Sequence, residues 1–196
     1  MKLLLHTCCA PCSVQCVEAL AGEGVRPDLF WYNPNIHPYT EYRARRDTLV
    51  GFAGEKKLTL ISEDEYGLRA FIKGVESYAD NGSQGARQRC AYCYRLRLEK
   101  TARLAAEKSY DGTSYDGFSA TLLISPYQNH DLIREIGEEL AAKYGVEFLY
   151  RDFRPRFRQG QSQARAAGYY MQKYCGCIYS EEERYLENGP SVRNGP

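Results

Sequence analysis

The chain has 196 residues, enough for one domain with a real core, and its 43% hydrophobic and 26% charged residues are typical of a globular protein. No apolar run approaches the roughly 20 residues that a membrane-spanning helix needs, and the start of the chain turns polar too soon for a secretory signal. We therefore expect a cytoplasmic protein with no membrane partner, and the net charge of +1 excludes a uniformly basic surface for polyanions.

The first half of the chain alternates short apolar runs with segments of helical spacing. Lys2–Thr7 predicts a first strand, and Ser13–Ala21 carries apolar residues at helical spacing before two glycines that favour a helix end. The alternation then predicts a strand at Asp28–Tyr32, a charged helix at Tyr39–Ala53, a strand at Leu58–Ile61 and a short helix at Tyr66–Val75.

The second half of the chain repeats this alternation. Cys90–Lys108 is rich in Leu, Ala, Arg and Glu and therefore predicts a strong helix. The elements predicted after it are a strand at Gly117–Ile124, a helix at Asp131–Tyr144, a strand at Val146–Tyr150 and helices at Gln159–Ala167 and Ser180–Leu186.

Strands that alternate with helices at this spacing predict a mostly parallel sheet with helices on both faces. We therefore expect an α/β protein with a single Rossmann-like (HUP/PP-loop-like) catalytic domain over residues 1–186. The polar tail over residues 187–196, with its Asn-Gly-Pro repeats, is predicted to be disordered.

The eight cysteines point most directly to chemistry. In a reducing cytosol, clustered cysteines indicate metal binding or catalysis more often than disulfides. Here they form three groups, which argues against scattered core cysteines. The groups are Cys8, Cys9, Cys12 and Cys16, then Cys90 and Cys93, then Cys175 and Cys177.

Two of these groups are placed to form one site. Cys8 and Cys9 follow the first strand, at the sheet edge where open α/β folds carry their sites, and the Cys90-Ala91-Tyr92-Cys93 segment is predicted to open a helix, where the amide dipole stabilises thiolates. Zinc and iron–sulfur clusters both accept four thiolates. Adjacent cysteines suit a zinc knuckle poorly and an iron–sulfur cubane better. The residues alone do not decide between zinc and an iron–sulfur cluster.

The Cys175-Gly176-Cys177 segment differs in kind. Its glycine permits a tight backbone that can close a strained, easily reduced disulfide suited to electron transfer, or hold a second metal. Cys12 can join either site. Cys16, one helical turn after Cys12, is expected to be a buried core residue.

Basic residues gather in two segments that adjoin cysteine pairs, and the chain has 17 tyrosines. Cations interleaved with aromatic rings suit phosphate contacts and base stacking in RNA, although a solvated helix face gives the same pattern. The basic residues are Arg87, Arg89, Arg95, Arg97, Lys100, Arg103 and Lys108, and then Arg151, Arg154, Arg156, Arg158, Arg165 and Lys173.

Several stretches resemble the QueH family of epoxyqueuosine reductases. They occur in the family's order over about residues 2–180, so the resemblance covers nearly the whole chain. The stretches are Leu5–Ser13, Tyr32–Pro38, Arg89–Cys93, Arg95–Leu98, Thr101-Ala102, Thr121–Pro126 and Gln172–Cys177.

The resemblance implies an oxidoreductase that removes the epoxide oxygen from epoxyqueuosine at the wobble position of tRNA, the last step of queuosine biosynthesis. It implies a [4Fe-4S] cluster and an additional iron ion, and as partners an epoxyqueuosine-containing tRNA bound at its anticodon stem-loop and an unidentified electron donor. Carried onto this sequence, the cluster ligands are Cys8, Cys9, Cys90 and Cys93, the redox-active pair is Cys175 and Cys177, and Cys12 is a candidate ligand of the additional iron.

Different functions remain open at the level of sequence. An ATP-dependent tRNA-modifying enzyme of the PP-loop type needs a Ser-Gly-Gly-x-Asp-Ser phosphate loop after the first strand, whereas Cys8–Ser13 has no glycine there. A zinc-stabilised RNA-binding module and a thiol–disulfide oxidoreductase also fit the cysteine pattern. The sequence does not decide which residue donates the protons; the candidates are a tyrosine, His6, Asp116, His130 and Asp131. His37 is expected to shape its loop.

Overall fold

A five-stranded parallel sheet is the centre of the computed structural model, which describes residues 1–79, 86–107 and 114–187. The strands lie in the order β3-β2-β1-β4-β5, and each pairs in parallel with its neighbours. This order confirms the Rossmann-like prediction. The strands are β1 (Leu3–His6), β2 (Asp28–Trp31), β3 (Leu60–Ser62), β4 (Gly117–Ala120) and β5 (Glu147–Phe148).

Helices surround the sheet, as predicted. One group has α1 packed against α2 and α6, and another has α4 packed against α3 and α5. Among the described residues, no helix is long and apolar enough to cross a membrane. The helices are α1 (Ala10–Gly22), α2 (Tyr39–Glu55), α3 (Leu68–Ala79), α4 (Ala86–Ala106), α5 (His130–Tyr144), α6 (Phe157–Ala166) and α7 (Ile178–Glu182), which continues as a π-helical turn at Glu183–Glu187.

The central strands are fully buried because helices cover the sheet. Leu3, Leu4 and Leu5 of β1 have no solvent exposure, and neither do Phe30 and Trp31 of β2. A strand that is buried on both faces has an unbroken apolar sequence instead of an alternating one. That is why the short run at the start of the chain forms the middle of the sheet.

Several predicted elements have different bounds in the structure, and two of these differences lie next to the cysteines. β4 stops at Ala120, where its last partner His6 also stops, so Thr121–Ile124 turns into a 3-10 helix instead of continuing the strand. The described part of α4 starts at Ala86, so the prediction that Cys90 opens a helix is wrong. Residues 188–196 lie outside the described residues, and disorder of the tail stays a prediction.

The contact of Gly137 on α5 with Phe148 on β5 gives a test of this packing. A Cβ at position 137 would overlap the Phe148 ring, whereas Gly51 on the exposed side of α2 has nothing within 4 Å of a Cβ. We expect Gly137→Ala to lower the free energy of unfolding by about 1–3 kcal/mol. Gly51→Ala should raise it by up to about 1 kcal/mol through helix propensity. Urea denaturation measures both, and equal effects would contradict the packing.

Candidate functional site

The candidate site lies at the carboxyl ends of β1 and β4, where the strand order reverses. Open α/β sheets bind their ligands in the crevice at this point. The loop after β1 is held there by two contacts: the Cys8 amide donates to Thr121 Oγ1 at 3.3 Å, and Asn33 Nδ2 donates to the Thr7 carbonyl at 2.9 Å. The first cysteine pair is therefore at the mouth of the crevice, as its position after a strand predicted.

Cys8, Cys9 and Cys12 form a buried thiol triad. Their sulfurs lie within 4.8 Å of one another, and Cys8 Sγ is 3.8 Å from Cys9 Sγ. Cys9 is the residue at the N-terminal cap of α1 and Cys12 lies in its first turn, so the helix start brings the third sulfur beside the adjacent pair. Across the described parts of the chain, no other three or more potential ligand atoms are as close together.

The triad has the donor chemistry of a metal site. Thiolate ligands about 2.3 Å from a tetrahedral ion are about 3.8 Å apart, which is the separation of the Cys8 and Cys9 sulfurs. Hydrogen bonds from the Cys12 and Cys9 thiols hold the pKa of Cys8 well below its usual range. Burial raises the pKa of Cys9. The hydrogen bond that Cys12 donates to Cys8 raises the pKa of Cys12. Cys8 is thus the sulfur that ionises first.

Gln172 joins the triad from the C-terminal part of the chain. Its Nε2 donates to Cys9 Sγ at 2.9 Å and to Cys12 Sγ at 3.4 Å. Its buried Oε1 has no hydrogen-bond partner among the residues that the structure describes. An amide that supports the sulfurs and presents a free oxygen beside them fits a site that holds a metal or cluster.

Cys90 and Cys93 of α4 lie near Cys175 and Cys177, not within the triad. Burial raises the pKa of Cys90 and of Cys93, and the charges of Cys175 and Cys177 raise both further. Cys93 also shares a small apolar cluster with Cys177. Because Cys90 is in the second turn of α4, the helix dipole does not supply the stabilisation that the sequence predicted.

A buried arginine holds the Cys175-Gly176-Cys177 loop in place. Arg45 Nη1 donates to the Cys175 carbonyl at 2.8 Å and Nη2 donates to the Tyr174 carbonyl at 2.9 Å. Its Nε pairs with Glu41 at 2.6 Å. Gly176 has a φ of 140°, which side chains rarely adopt. The loop leaves Cys175 exposed and Cys177 buried, both as free thiols.

His37 fixes the same loop from the segment after β2, as expected for a loop-shaping residue. Its backbone amide donates to the Gly176 carbonyl at 2.7 Å, and its Nδ1 accepts from the Ile178 amide at 3.3 Å. Its Nε2 donates to the Pro34 carbonyl at 3.0 Å. Burial lowers the pKa of His37 to about 4, so the ring is the neutral tautomer that this bonding requires.

The proton-donor candidates are separated by the fold. Asp116 precedes β4 and accepts from the Lys2 amide at 2.6 Å, so it lies at the amino edge of the sheet, opposite the cysteines. His6 is buried with its Nε2 donating to the Tyr32 carbonyl, and burial followed by the charge of Arg97 lowers its pKa to about 4. His130 bonds the Ser125 carbonyl at the start of α5.

Sequence reasoning missed the polar residues that support the cysteines. Nothing in the sequence indicates the role of Arg45, since it lies in a charged helix that predicts an exposed side chain. In the structure it is 1% exposed. Gln128 donates to Cys175 Sγ at 3.4 Å and accepts from Tyr94 Oη at 2.7 Å. Gln172 alone had a signal, because it begins the motif that ends in Cys177.

The basic segments are largely neutralised by ion pairs. Arg97, expected among the basic surface residues, is 1% exposed, so this prediction is wrong for it. The exposed residues Arg158, Arg165 and Lys173 have no ion-pair partner in the described ranges. The pairs are Arg89–Glu183, Arg95–Glu139, Lys100–Glu63, Arg103–Glu107, Arg151–Glu23 and Arg154–Asp152.

The fold and the site define a Rossmann-like protein whose loop after β1 carries cysteines in place of a glycine-rich phosphate loop. The sequence model of the family Epoxyqueuosine reductase QueH matches residues 3–183. The chain therefore belongs to the epoxyqueuosine reductase QueH family, which confirms the resemblance seen in its motifs.

Named relatives match over almost the full chain. Epoxyqueuosine reductase QueH of Dehalococcoides mccartyi is 37% identical over 184 residues, which cover 94% of this chain and 94% of that protein. The protein of the same name from Thermotoga maritima is 34% identical and covers 93% of this chain and 91% of its own length. That of Acinetobacter baylyi is 35% identical, with 91% and 80% covered.

Substituting Gly176 tests the geometry of the cysteine loop. A Cβ there would lie 3.2 Å from Arg45 Nη1 and from Ile36 Cγ1, in addition to the positive φ. Gly168 also has a positive φ, of 71°, but open space around it, so Gly168→Ala carries backbone strain alone, about 1–2 kcal/mol. We expect Gly176→Ala to cost at least about 1 kcal/mol more, because the added Cβ is crowded and because a φ of 140° lies farther from the values that side chains adopt.

The measurements are urea denaturation and the rate at which Cys177 is alkylated in the folded, metal-free protein. Alkylation should be faster in Gly176→Ala than in Gly168→Ala, because the displaced loop exposes the buried thiol. Equal stability losses and equal rates in the two variants would contradict the proposed role of Arg45 contacts in holding the loop.

Proposed function

We propose that this protein reduces epoxyqueuosine at the wobble position of tRNA to queuosine, the last step of queuosine biosynthesis. Its membership in the epoxyqueuosine reductase QueH family supports this reductase activity. The observation that carries the proposal is the gathering of sequence-distant cysteines at the switch point. The buried triad there takes the place of a phosphate loop, and the Cys175-Gly176-Cys177 loop approaches from the other end of the chain.

The proposal includes a [4Fe-4S] cluster on Cys8, Cys9, Cys90 and Cys93, with Cys12 as a ligand of an additional iron. Soft, mostly buried thiols and the unpartnered Gln172 oxygen support such a cofactor. When bound, it would supply single electrons and polarise the departing epoxide oxygen at an open metal position.

The dithiol of Cys175 and Cys177 balances the reaction. Converting the epoxide to an alkene breaks two C–O bonds, forms a C=C bond and releases the oxygen as water, which consumes two electrons and two protons. Two thiols that form one disulfide release two electrons and two protons. An electron donor that reduces this disulfide then completes the cycle, and the exposure of Cys175 gives that donor access.

Unpaired cations and an exposed ring give the protein a surface for tRNA. Arg158 and Arg165 are seven residues apart on α6, so they share one helix face, and Lys173 follows just before the cysteine loop. Tyr127 is 84% exposed and is next to Gln128, which contacts Cys175. Phosphate contacts and base stacking on such groups are how proteins bind single-stranded RNA loops.

Cysteine variants test the reductase proposal. After anaerobic reconstitution with iron and sulfide, the reduced protein should remove one oxygen mass from the epoxyqueuosine nucleoside of tRNA, measured by mass spectrometry. Serine at either Cys175 or Cys177 should abolish turnover and keep the visible absorbance of the cluster. Cys12→Ser should bind less iron. Cys16→Ala, a change in the core, should keep both the turnover and the visible absorbance. Serine at Cys8, Cys9, Cys90 or Cys93 should abolish both absorbance and turnover.

Different results would identify a different function. An unchanged nucleoside mass under strong reductant contradicts the proposed reaction. A colourless protein with one zinc ion indicates an RNA-binding module, and ATP consumption with tRNA indicates a PP-loop-type enzyme. Activity that survives loss of Cys8 and Cys9 indicates a thiol–disulfide oxidoreductase.

Charge reversal tests the tRNA surface. We expect glutamate at Arg158, Arg165 and Lys173 together to weaken tRNA binding at least tenfold and to reduce its salt dependence, because fewer counterions are released. Reversing Lys143, which pairs with Glu99 on the surface of α4, should change tRNA affinity little. Filter binding at several salt concentrations measures both variants, and an unchanged salt slope in the triple variant would contradict this surface.

A further inference from the structure

Two arginines are buried at the site, and in the described part of the chain a carboxylate pairs with only one of them. Arg45 and Arg97 are each 1% exposed, and Arg45 pairs with Glu41. Within residues 1–79, 86–107 and 114–187, no carboxylate pairs with Arg97. A buried guanidinium without a counter-ion costs several kcal/mol. The structure must therefore provide another anion.

Sulfur atoms that can ionise face Arg97. Its Nη2 donates to Cys93 Sγ at 3.1 Å, and its Nε donates to the Cys93 carbonyl one helical turn earlier. Cys175 and Cys8 are also near enough for their charge, when ionised, to act on Arg97. These three cysteines come from three separate segments of the chain.

The other neighbours of Arg97 do not compete for this role. Burial and then the charge of Arg97 lower the pKa of His6 to about 4, so its ring stays neutral and adds no negative charge. The Tyr94 ring lies 6.0 Å from the guanidinium carbon and offers a cation–π contact instead of a full negative charge.

We propose that Arg97 is a positioning residue that balances the negative charge of the cysteine site and thereby raises the reduction potential of the group bound there. Reduction adds negative charge to the site, and a buried cation with an N–H···S bond stabilises the reduced form more than the oxidised form. This inference rests on the proposed function and adds a residue that sets the potential at which the site accepts electrons.

The first test compares reduction potentials of the reconstituted protein in dye-mediated titrations. Arg97→Met should make one-electron reduction at least tenfold less favourable, a shift of about 59 mV to lower potential. Arg97→Lys keeps the charge and should stay closer to the unmodified protein than Arg97→Met. Arg95→Met removes a charge from the same helix at its surface pair with Glu139 and should leave the potential unchanged. A potential in Arg97→Met equal to that of Arg95→Met overturns the proposal.

The second test separates charge balance from a merely structural role. In the metal-free protein no metal holds the Cys93 sulfur beside Arg97 in its ionised form, so Arg97 lacks a full counter-ion and Arg97→Met should keep or raise Tm. In the loaded protein the same change should lower Tm, because the anionic site loses its cation. A parallel fall in both forms overturns the proposal, and so does failure of both Arg97→Met and Arg97→Gln to fold without metal.

Zinc distinguishes failure of this inference from failure of the proposed function. If the unmodified protein takes up no iron–sulfur cluster, the proposed cofactor is wrong, and chelator competition with zinc alone then tests Arg97. Metal-free Arg97→Met should bind zinc at least tenfold more weakly than the unmodified protein, while Arg95→Met binds it equally well. Equal zinc affinity for the two methionine variants overturns the role of Arg97.

Discussion

The parallel pairing of β1 with β4 is the constraint on which the site depends. Both strands stop at the same level, with His6 opposite Ala120, so the loops that follow them open into one crevice. The cysteines after β1 come to rest on Thr121, which follows β4, although 113 residues separate the two in sequence. Cysteine pairs from α4 and from the C-terminal part then approach the same crevice, which is why distant motifs act together.

Two buried guanidinium groups organise the sulfur atoms in different ways. Arg45 is neutralised by Glu41 and uses its remaining donors on backbone carbonyls, so it controls the shape of the Cys175-Gly176-Cys177 loop. Arg97 has no carboxylate in the described part of the chain and faces sulfur directly. Arg45 therefore fixes the geometry of the cysteine loop, and Arg97 acts on the site sulfurs through its charge.

The sequence predicted the features that depend on local pattern. A buried strand followed by cysteines, the helix–strand alternation and the spacing of the motifs led to the fold and to the position of Cys8 and Cys9. Arg45 and Arg97 could not be found in this way, because arginines in charged helices resemble solvated residues until tertiary packing buries them. Asp116 is a different case: it directly precedes the predicted strand at Gly117, so a parallel sheet already places it at the amino edge, away from the cysteines.

The unequal burial of the last cysteine pair gives the two sulfurs separate parts in thiol exchange. In the proposed disulfide of Cys175 and Cys177, an incoming thiolate would attack the exposed Cys175, so the mixed disulfide would form there and the buried Cys177 would be the leaving group. A second thiol of the donor would then attack the donor's own sulfur and release Cys175 as a thiol, because attack by Cys177 would only re-form the starting disulfide. By holding the loop in place, Arg45 would thus fix which of the two sulfurs an incoming thiol attacks first.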